Sequence, residues 1–448
     1  MSWRSVCCAA LVCILFLPPS VKAGEREYSM ESAVMRALEK NPDLESAGFS
    51  VQAAESARKA ARSSFGPELG VNYSYSRYSK ERSSRSEKNA TTMTVQASQP
   101  LFTGFNLLNT YQKAALEVDL QKLELESQRL TVTASVQEAF ISYLEALECI
   151  RSTQRSLERS RAQLDMAKTA WNIGLRPRLD VLQAETDLAQ TEALLISYEN
   201  DRDVWLTRLN TLLDLPPDAR TTFSGDLDVQ PFRRTLEACL GQALEHRPDL
   251  LMAKKSVEIA LKDLGITQSL FWPQLSAIVG WSTTGSHLDA AGSRYSRKDY
   301  SYGEIGLSLD WTLFSSGRRV FLTRQARQQI SALESAVRSS VNNCAYAVRS
   351  GLLSTQDAYR AVKVSQRAVA SARESYADAK MRYELQSGSY LDLLVAQSAL
   401  SDAELAEISN RADCLIALAH LYETMGELRP DLSEPSFANA SAEKSGRS

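Results

Sequence analysis

A chain of 448 residues has material for two or three domains, and its formal net charge of −3 offers no electrostatic footprint for nucleic acid. After residue 23 no run reaches the roughly 18 apolar residues of a membrane-spanning helix. Entry into a membrane would therefore have to be made by β-strands.

At the N-terminus Arg4 precedes an apolar run from Val6 to Leu17, then Pro18-Pro19 and the small-residue site Val21-Lys22-Ala23. This reads as a secretory signal over residues 1–23, cleaved after Ala23, with a short membrane anchor as the alternative. Cys7, Cys8 and Cys13 do not stand in a lipidation context. Arg4 and Lys22 leave with the segment and no acid does, which takes the net charge to −5. Cys149, Cys239, Cys344 and Cys414 sit singly in helical patterns without CxxC spacing, which favours buried thiols over disulfides.

A first structural repeat spans 24–214. It opens with a helical pattern over 29–65, where Ser29 and Ser32 flank a weak capping signal. Leu69, Val71, Tyr73 and Tyr75 then alternate with Gly70, Asn72, Ser74 and Ser76, and Met93, Val95 and Ala97 alternate with Thr94, Gln96 and Ser98. Such period-two runs are strands with one oily and one wet face. A polar stretch, Arg77 to Thr92, joins them as a loop. From Asn106 to Trp171 there is neither proline nor glycine, and Leu116, Leu120, Leu123, Leu130, Val136, Phe140, Leu144 and Leu147 recur at helical spacing. One α-helix of this length reaches about 100 Å. A turn at 172–180 and a helix over 179–213 complete the repeat.

A proline-bearing segment, 215–234, reads as the link to a second repeat, 235–429. There the pattern predicts a helix over 235–270, strands around Ala277, Val279 and Trp281 and over 304–311, a loop from Thr283 to Asp299, a helix from Arg318 to Glu384, a turn at 385–392 and a helix over 389–426. The tail, 430–448, has a disordered composition. The two repeats echo each other 206 to 212 residues apart: Asn41-Pro42-Asp43-Leu44 with Arg247-Pro248-Asp249-Leu250, Phe65-Gly66-Pro67 with Phe271-Trp272-Pro273, Pro100-Leu101-Phe102-Thr103-Gly104 with Thr312-Leu313-Phe314-Ser315-Ser316-Gly317, and Leu179-Asp180-Val181-Leu182 with Leu391-Asp392-Leu393-Leu394. Units this long are duplicated half-molecules rather than solenoid repeats.

Four strands cannot close a barrel, because known bacterial barrels begin at eight and hydrocarbon offers no partner for an open edge. The chain must pool strands with copies of itself, eight from two chains or twelve from three. The tandem halves, the Pro67 and Pro273 strand entries, the Leu101-to-Gly104 and Leu313-to-Gly317 strand exits and the two Leu-Asp turns resemble TolC-like outer membrane efflux proteins over about Tyr28 to Glu427. That resemblance implies an α+β membrane channel: a homotrimer with a twelve-stranded barrel in outer membrane lipid and a periplasmic α-barrel of long helices. It also implies partners, namely a periplasmic adaptor protein and an inner membrane pump of the RND, ABC or MFS type, and export of drugs, metals or proteins.

In such channels an inner-turn tyrosine and an outer-turn aspartate help lock the tip, and these map to Tyr383 and Asp180. A lumenal aspartate ring near the constriction maps to Asp392. A second aspartate of the family is replaced by Val395, and a basic residue of the inner turn by Gly388. Gly174 suits a left-handed helix end, while Gln386 takes that place in the other half, which predicts a differently shaped second turn. Asp180 and Asp392 each begin a helix and also read as plain N-terminal caps. Tyr73, Tyr75, Trp281, Tyr300, Tyr302 and Trp311 read as lipid-interface anchors.

Enzyme readings find no purchase. His246, His287 and His420 lie apart, and there is no nucleophile elbow, phosphate loop or cofactor motif. The competing class is a periplasmic or secreted coiled-coil structural protein without a pore.

Overall fold

The computed structural model describes residues 27–80, 88–285, 287–288, 290 and 301–432. The signal segment, Tyr300 and the tail after Leu432 lie outside these. Among the described residues no helix is long and apolar enough to cross a membrane.

The elements follow one order twice. The first pass is α1 (Met30–Lys40), α2 (Pro42–Ser63), β2 (Glu68–Arg77), β3 (Asn89–Phe102), α3 (Asn106–Asn172) and α4 (Arg178–Leu212). The second is α5 (Leu236–His246), α6 (Pro248–Ser269), β5 (Gln274–Gly285), β6 (Ser301–Asp310), α7 (Arg318–Glu384) and α8 (Tyr390–Thr424). Both α3 and α7 run unbroken for 67 residues. The helices expected over 29–65 and 235–270 are each split in two, at Asn41-Pro42 and Arg247-Pro248. A proline disfavours helical backbone in the residue before it yet fits the first helical position, so each break restarts a helix at once. Asn41 secures the first break: its Oδ1 accepts from the Asp43 amide at 2.9 Å, and its Nδ2 donates to the Leu212 carbonyl at 3.0 Å.

The segment 215–234 is a packed belt rather than a free link. Its β4 (Thr222–Phe223) pairs in parallel with β1 (Glu27–Tyr28). Phe223 lies between the rings of Tyr28, Phe140 and Tyr143, with centroids 5.5–5.8 Å away. Arg411 Nε donates to the Leu227 carbonyl at 2.8 Å. Two-residue strands carry no readable periodicity, so sequence patterning misses this pair.

β2, β3, β5 and β6 form one antiparallel sheet in that order, so the halves meet between β3 and β5, and among the described residues the outer edges of β2 and β6 are unpaired. Cross-strand register aligns Leu69, Ala97, Val279 and Ile305 in one row and Val71, Val95, Trp281 and Gly303 in the next. The opposite face aligns Gly70, Gln96, Gly280 and Glu304, then Asn72, Thr94, Ser282 and Tyr302. On that face Thr94 and Ser282 hydroxyls lie 3.2 Å apart. The apolar face is bare: Ile305 is 88% exposed and Leu307 72%. A coiled-coil rod without a pore needs no such sheet, and nothing in the fold supports that reading.

α3 is flanked by α2 and α4 of its own half and by α6 and α8 of the other, whereas α7 packs chiefly on α6 and α8. The main core gathers α1, the middle of α3, the β1–β4 belt, α5 and the end of α8 around Val136, Phe140, Leu209, Cys239, Leu421 and Tyr422. A second, smaller core lies at the far end of the hairpins: Leu164, Ala167, Val181, Ala184, Tyr383, Tyr390 and Leu393. Between the two, α3 buries Ser152, Thr153, Ser156, Ser160 and Gln163, and the buried Gln397 of α8 donates to the Ser160 hydroxyl at 2.7 Å. All four cysteines of the described residues are buried and free, and burial pushes the Cys149 thiol up to about 12 and Cys414 up to about 11.

Candidate functional site: the paired helical turns

Two turns close the helical hairpins, and their backbones are built alike. In the first, Gly174 is left-handed (φ 76°), with Gly174 N–H bonding the Trp171 carbonyl at 2.9 Å and Leu175 N–H the Ala170 carbonyl at 2.9 Å. In the second, Gln386 takes the same left-handed place (φ 62°), with Gln386 N–H on Tyr383 at 3.1 Å and Ser387 N–H on Arg382 at 2.9 Å. Each is a Schellman closure, which satisfies the last helical carbonyls. The different second turn expected from Gln386 is therefore not found. Gln386 tolerates a conformation that glycine adopts without cost, while Gly388 lies on the ordinary side of φ, where a Cβ would stand 3.1 Å from the Arg382 Cβ.

The helices that follow are capped differently. α4 begins after Pro177 with no side-chain cap, and Asp180 offers its carboxylate to no backbone amide there. Instead Asp180 is only 8% exposed, and burial raises its carboxyl above the ordinary value while the nearby Arg176 charge opposes that rise. α8 begins with a full capping box. Ser389 Oγ accepts from the Asp392 amide at 3.1 Å, and Asp392 Oδ2 accepts from the Ser389 amide at 3.2 Å and hydroxyl at 2.7 Å. Those Ser389 bonds hold the exposed Asp392 carboxyl below its ordinary value. Of the two caps read from sequence, Asp392 is one and Asp180 is not.

Tyr383 and Asp180 are brought into one neighbourhood, but not by a hydrogen bond between them. The Tyr383 hydroxyl is buried and has no hydrogen-bond partner among the described residues. Burial raises its pKa, with the Asp180 charge adding to the rise. Its ring packs edge-on against Tyr390, centroids 5.6 Å apart. The residue that joins the turns is Arg176, which sequence reasoning missed. Its Nη2 donates to the carbonyl of Gly388 at 3.1 Å and reaches that of Tyr383 at 3.4 Å. Its guanidinium carbon stands 4.7 Å from the Tyr383 ring centroid, a cation–π distance. The signal available in sequence was indirect: the second turn lacks a basic residue at Gly388, and the first has one at Arg176.

A cavity of about 450 Å³ opens beside this junction, lined by Met166, Ala170, Ile173, Leu175, Arg176 and Tyr383 among others. No cluster of His, Cys, Asp or Glu fit to hold a metal ion occurs among the described residues.

The aromatic residues at the opposite end divide by strand parity. Tyr73 and Trp281 are exposed on the apolar face of the sheet, and Tyr75 and Trp311 continue the same alternation along β2 and past the end of β6. Trp311 Nε1 donates to the Phe271 carbonyl at 3.2 Å. Tyr302 does not belong with them. Its even position in β6 puts it in the row of Asn72, Thr94 and Ser282, on the wet face, which corrects its reading as a lipid anchor.

Comparison with known proteins converges on one group. The profile of a family described as "Outer membrane efflux protein" matches residues 33–214 and 239–427. The chain is 24% identical over 402 residues to the Outer membrane protein TolC of Escherichia coli (strain K12), covering 87% of this chain and 80% of that protein. It is 25% identical over 345 residues to the Alkaline protease secretion protein AprF of Pseudomonas aeruginosa, covering 75% and 69%. Among solved structures, the CmeC outer membrane channel of Campylobacter jejuni superposes with a TM-score of 0.77 at 16% identity, over 92% of this chain and 89% of that one. The outer membrane protein VceC of Vibrio cholerae gives 0.74 at 19% identity, over 89% and 96%. At these identities the structures establish the fold.

Proposed function

The chain belongs to the outer membrane efflux protein family, and from that premise we propose how it forms an exit duct across that membrane. Three copies pool their sheets into a twelve-stranded barrel set in outer membrane lipid, and the barrel continues into a periplasmic tube of long helices. The repeats 24–214 and 235–429 each contribute half of one copy's share of the wall. The observation that carries this reading is the sheet, with one bare apolar face and two unpaired edges. Hydrocarbon tolerates such a sheet only when every edge is closed. Strands of 10 to 14 residues are long enough to cross at a tilt. Three copies rather than two leave a lumen, because an eight-stranded barrel is filled by its own side chains.

The helices support the same assembly. α7 leaves Tyr346, Leu353 and Val364 exposed, and steps of seven and eleven keep them on one face. α4 leaves Leu182, Ile196 and Val204 exposed. These faces suit burial against a neighbouring copy.

The turns are the gate. Arg176, Asp180 and Tyr383 hold them together, Gly174 supplies the left-handed closure of the first turn, Gly388 leaves room beside Arg382 in the second, and three symmetry-related Asp392 carboxylates draw cations to the axis. An inner membrane pump of the RND, ABC or MFS type, reaching the tip through a periplasmic adaptor protein, opens it for small molecules or proteins. Relatives named for alkaline protease secretion and for pyoverdine export fit both cargo classes.

The test is conductance of the purified protein in planar bilayers, together with its cross-linked mass. We expect a three-chain species that passes current, is blocked by divalent cations, and loses much of that block in Asp392→Ala. Extraction from membranes by salt alone, with no current, would overturn the duct.

A further inference from the structure

We propose that the polar cavity between α3, α4 and α8 binds a small monovalent cation of the sodium type, held by the Asp187 carboxylate, the Gln397 amide oxygen and the Thr153 hydroxyl. The cavity lies in the polar layer between the two apolar cores, and Asp392 does not line it.

Hydrogen-bond donors and acceptors do not balance there. Asp187 Oδ2 accepts from the Ser160 hydroxyl at 2.6 Å and from Gln397 Nε2 at 2.9 Å. With its proton committed to the carboxylate, Ser160 Oγ can only accept, and Gln397 Nε2 donates to it at 2.7 Å. Both bonds demand the amide nitrogen, so the orientation of the Gln397 amide is fixed by its partners. Its Oε1 is then an acceptor without a donor among the described residues, in a side chain whose residue is 2% exposed. Thr153, equally buried, is the second orphan. Thr191 lines the same cavity and donates back to the Asp187 carbonyl at 2.9 Å, whereas no such bond ties down the Thr153 hydroxyl.

The charge around the cavity favours a cation. Among the described residues its charged lining is Asp187 on one wall and the exposed Asp402 at the mouth, with no lysine or arginine. Arg159, further along α3, is engaged by Glu404 at 3.2 Å. Carboxylate, amide and hydroxyl oxygens are hard donors that suit a hard ion. A divalent ion asks for a denser set of carboxylates, and no such cluster occurs among the described residues. A singly charged ion needs one carboxylate and neutral oxygens, which the walls supply. The volume of about 170 Å³ holds the ion and a few of its waters, each taking about 30 Å³ in the liquid. Thr153 stands on α3, Asp187 on α4 and Gln397 on α8, so the bound ion ties three helices at one level.

The experiment records the sodium NMR line in the presence of the purified protein in a non-ionic detergent. In parallel, circular dichroism follows melting in sodium chloride and in choline chloride at equal ionic strength. We expect wild type to broaden the sodium line and to melt higher in sodium than in choline, because an ion that binds the folded state stabilises it. Thr153→Val and Asp402→Asn should each weaken the apparent sodium affinity about tenfold. In choline, Thr153→Val should melt no lower than wild type, since the hydroxyl it removes has no partner to lose. A loss of sodium response matched by an equal loss of stability in choline in both variants would overturn the site. So would equal melting of wild type in the two salts, or broadening that both variants keep and Asp392→Ala abolishes, which would place the ion at the tip.

Discussion

The α3–α4 turn and the α7–α8 turn hold matching places in the two passes of the chain and share one backbone while dividing their duties. Both end a 67-residue helix in the same left-handed closure. The first uses glycine for that closure, leaves its next helix uncapped and sends out a long cation. The second spends a left-handed residue on glutamine, caps its next helix fully, and offers carbonyls and buried rings. The two turns share backbone geometry, and their side chains make one the donor and the other the acceptor.

The sharpest way to break the comparison is to remove the aromatic residue at the end of each long helix. Tyr383 is buried against Tyr390, whereas Trp171 is 45% exposed. Tyr383→Ala should destabilise the tip by about 3 kcal/mol through the cavity it leaves, and Trp171→Ala by less than about 1 kcal/mol. Amide exchange across residues 376–394 would report the difference, and equal effects would show that the two turns bear load alike.

A smaller effect comes from exchanging the left-handed residues. Gly174→Ala should cost about 1 kcal/mol, since open space surrounds the site and only φ resists the side chain. Gln386→Gly should be neutral or stabilising by up to about 0.5 kcal/mol, because relief of strain is offset by a looser unfolded chain. Melting of the two variants checks the opposite signs.

The smallest effect is electrostatic. Burial raises Asp180 and the Ser389 bonds lower Asp392, so the two should titrate on opposite sides of an ordinary aspartate. A raised folded pKa gives Asp180 a contribution to stability that is fully present below the unfolded value and lost as pH rises through the folded one. Asp392 does the reverse: its capping contribution is present above the unfolded value and lost as pH falls through its lowered folded value. Carboxyl resonances followed from pH 6 to 2 would settle the order, which Arg176→Ala should widen by removing the charge that restrains Asp180.

Sequence patterning located the long helices to within a residue, because a stretch without proline or glycine and with apolar residues at helical spacing has few other ways to fold. The same patterning ran through Pro42 and Pro248, since a proline at a first helical position leaves the amphipathic pattern undisturbed on either side. It also grouped Tyr302 with the anchors by residue type, although counting strand parity from Ile305 sets it on the other face. At the tip, Tyr383 and Asp180 were singled out through the family resemblance, and the structure sets them in one neighbourhood without a hydrogen bond between them. Arg176 was not, because a lone arginine in a turn has no periodicity and its meaning depends on carbonyls more than 200 residues away.

The layer of hydroxyls and amides that separates the two apolar cores has a consequence for how the molecule comes apart. Hydrogen bonds such as Ser156–Ser401 at 2.8 Å and Ser160 to Asp187 at 2.6 Å cross it, but Thr153 Oγ1, Gln163 Oε1 and Gln397 Oε1 are buried there without a hydrogen-bond partner among the described residues, and each such atom carries a desolvation cost. Cooperativity propagates through contiguous packing and falters where packing is weak. Amide exchange at the far end of the hairpins, around Ala167 and Leu393, is therefore expected to be faster than in the belt around Phe140, and equal protection at the two ends would refute that order.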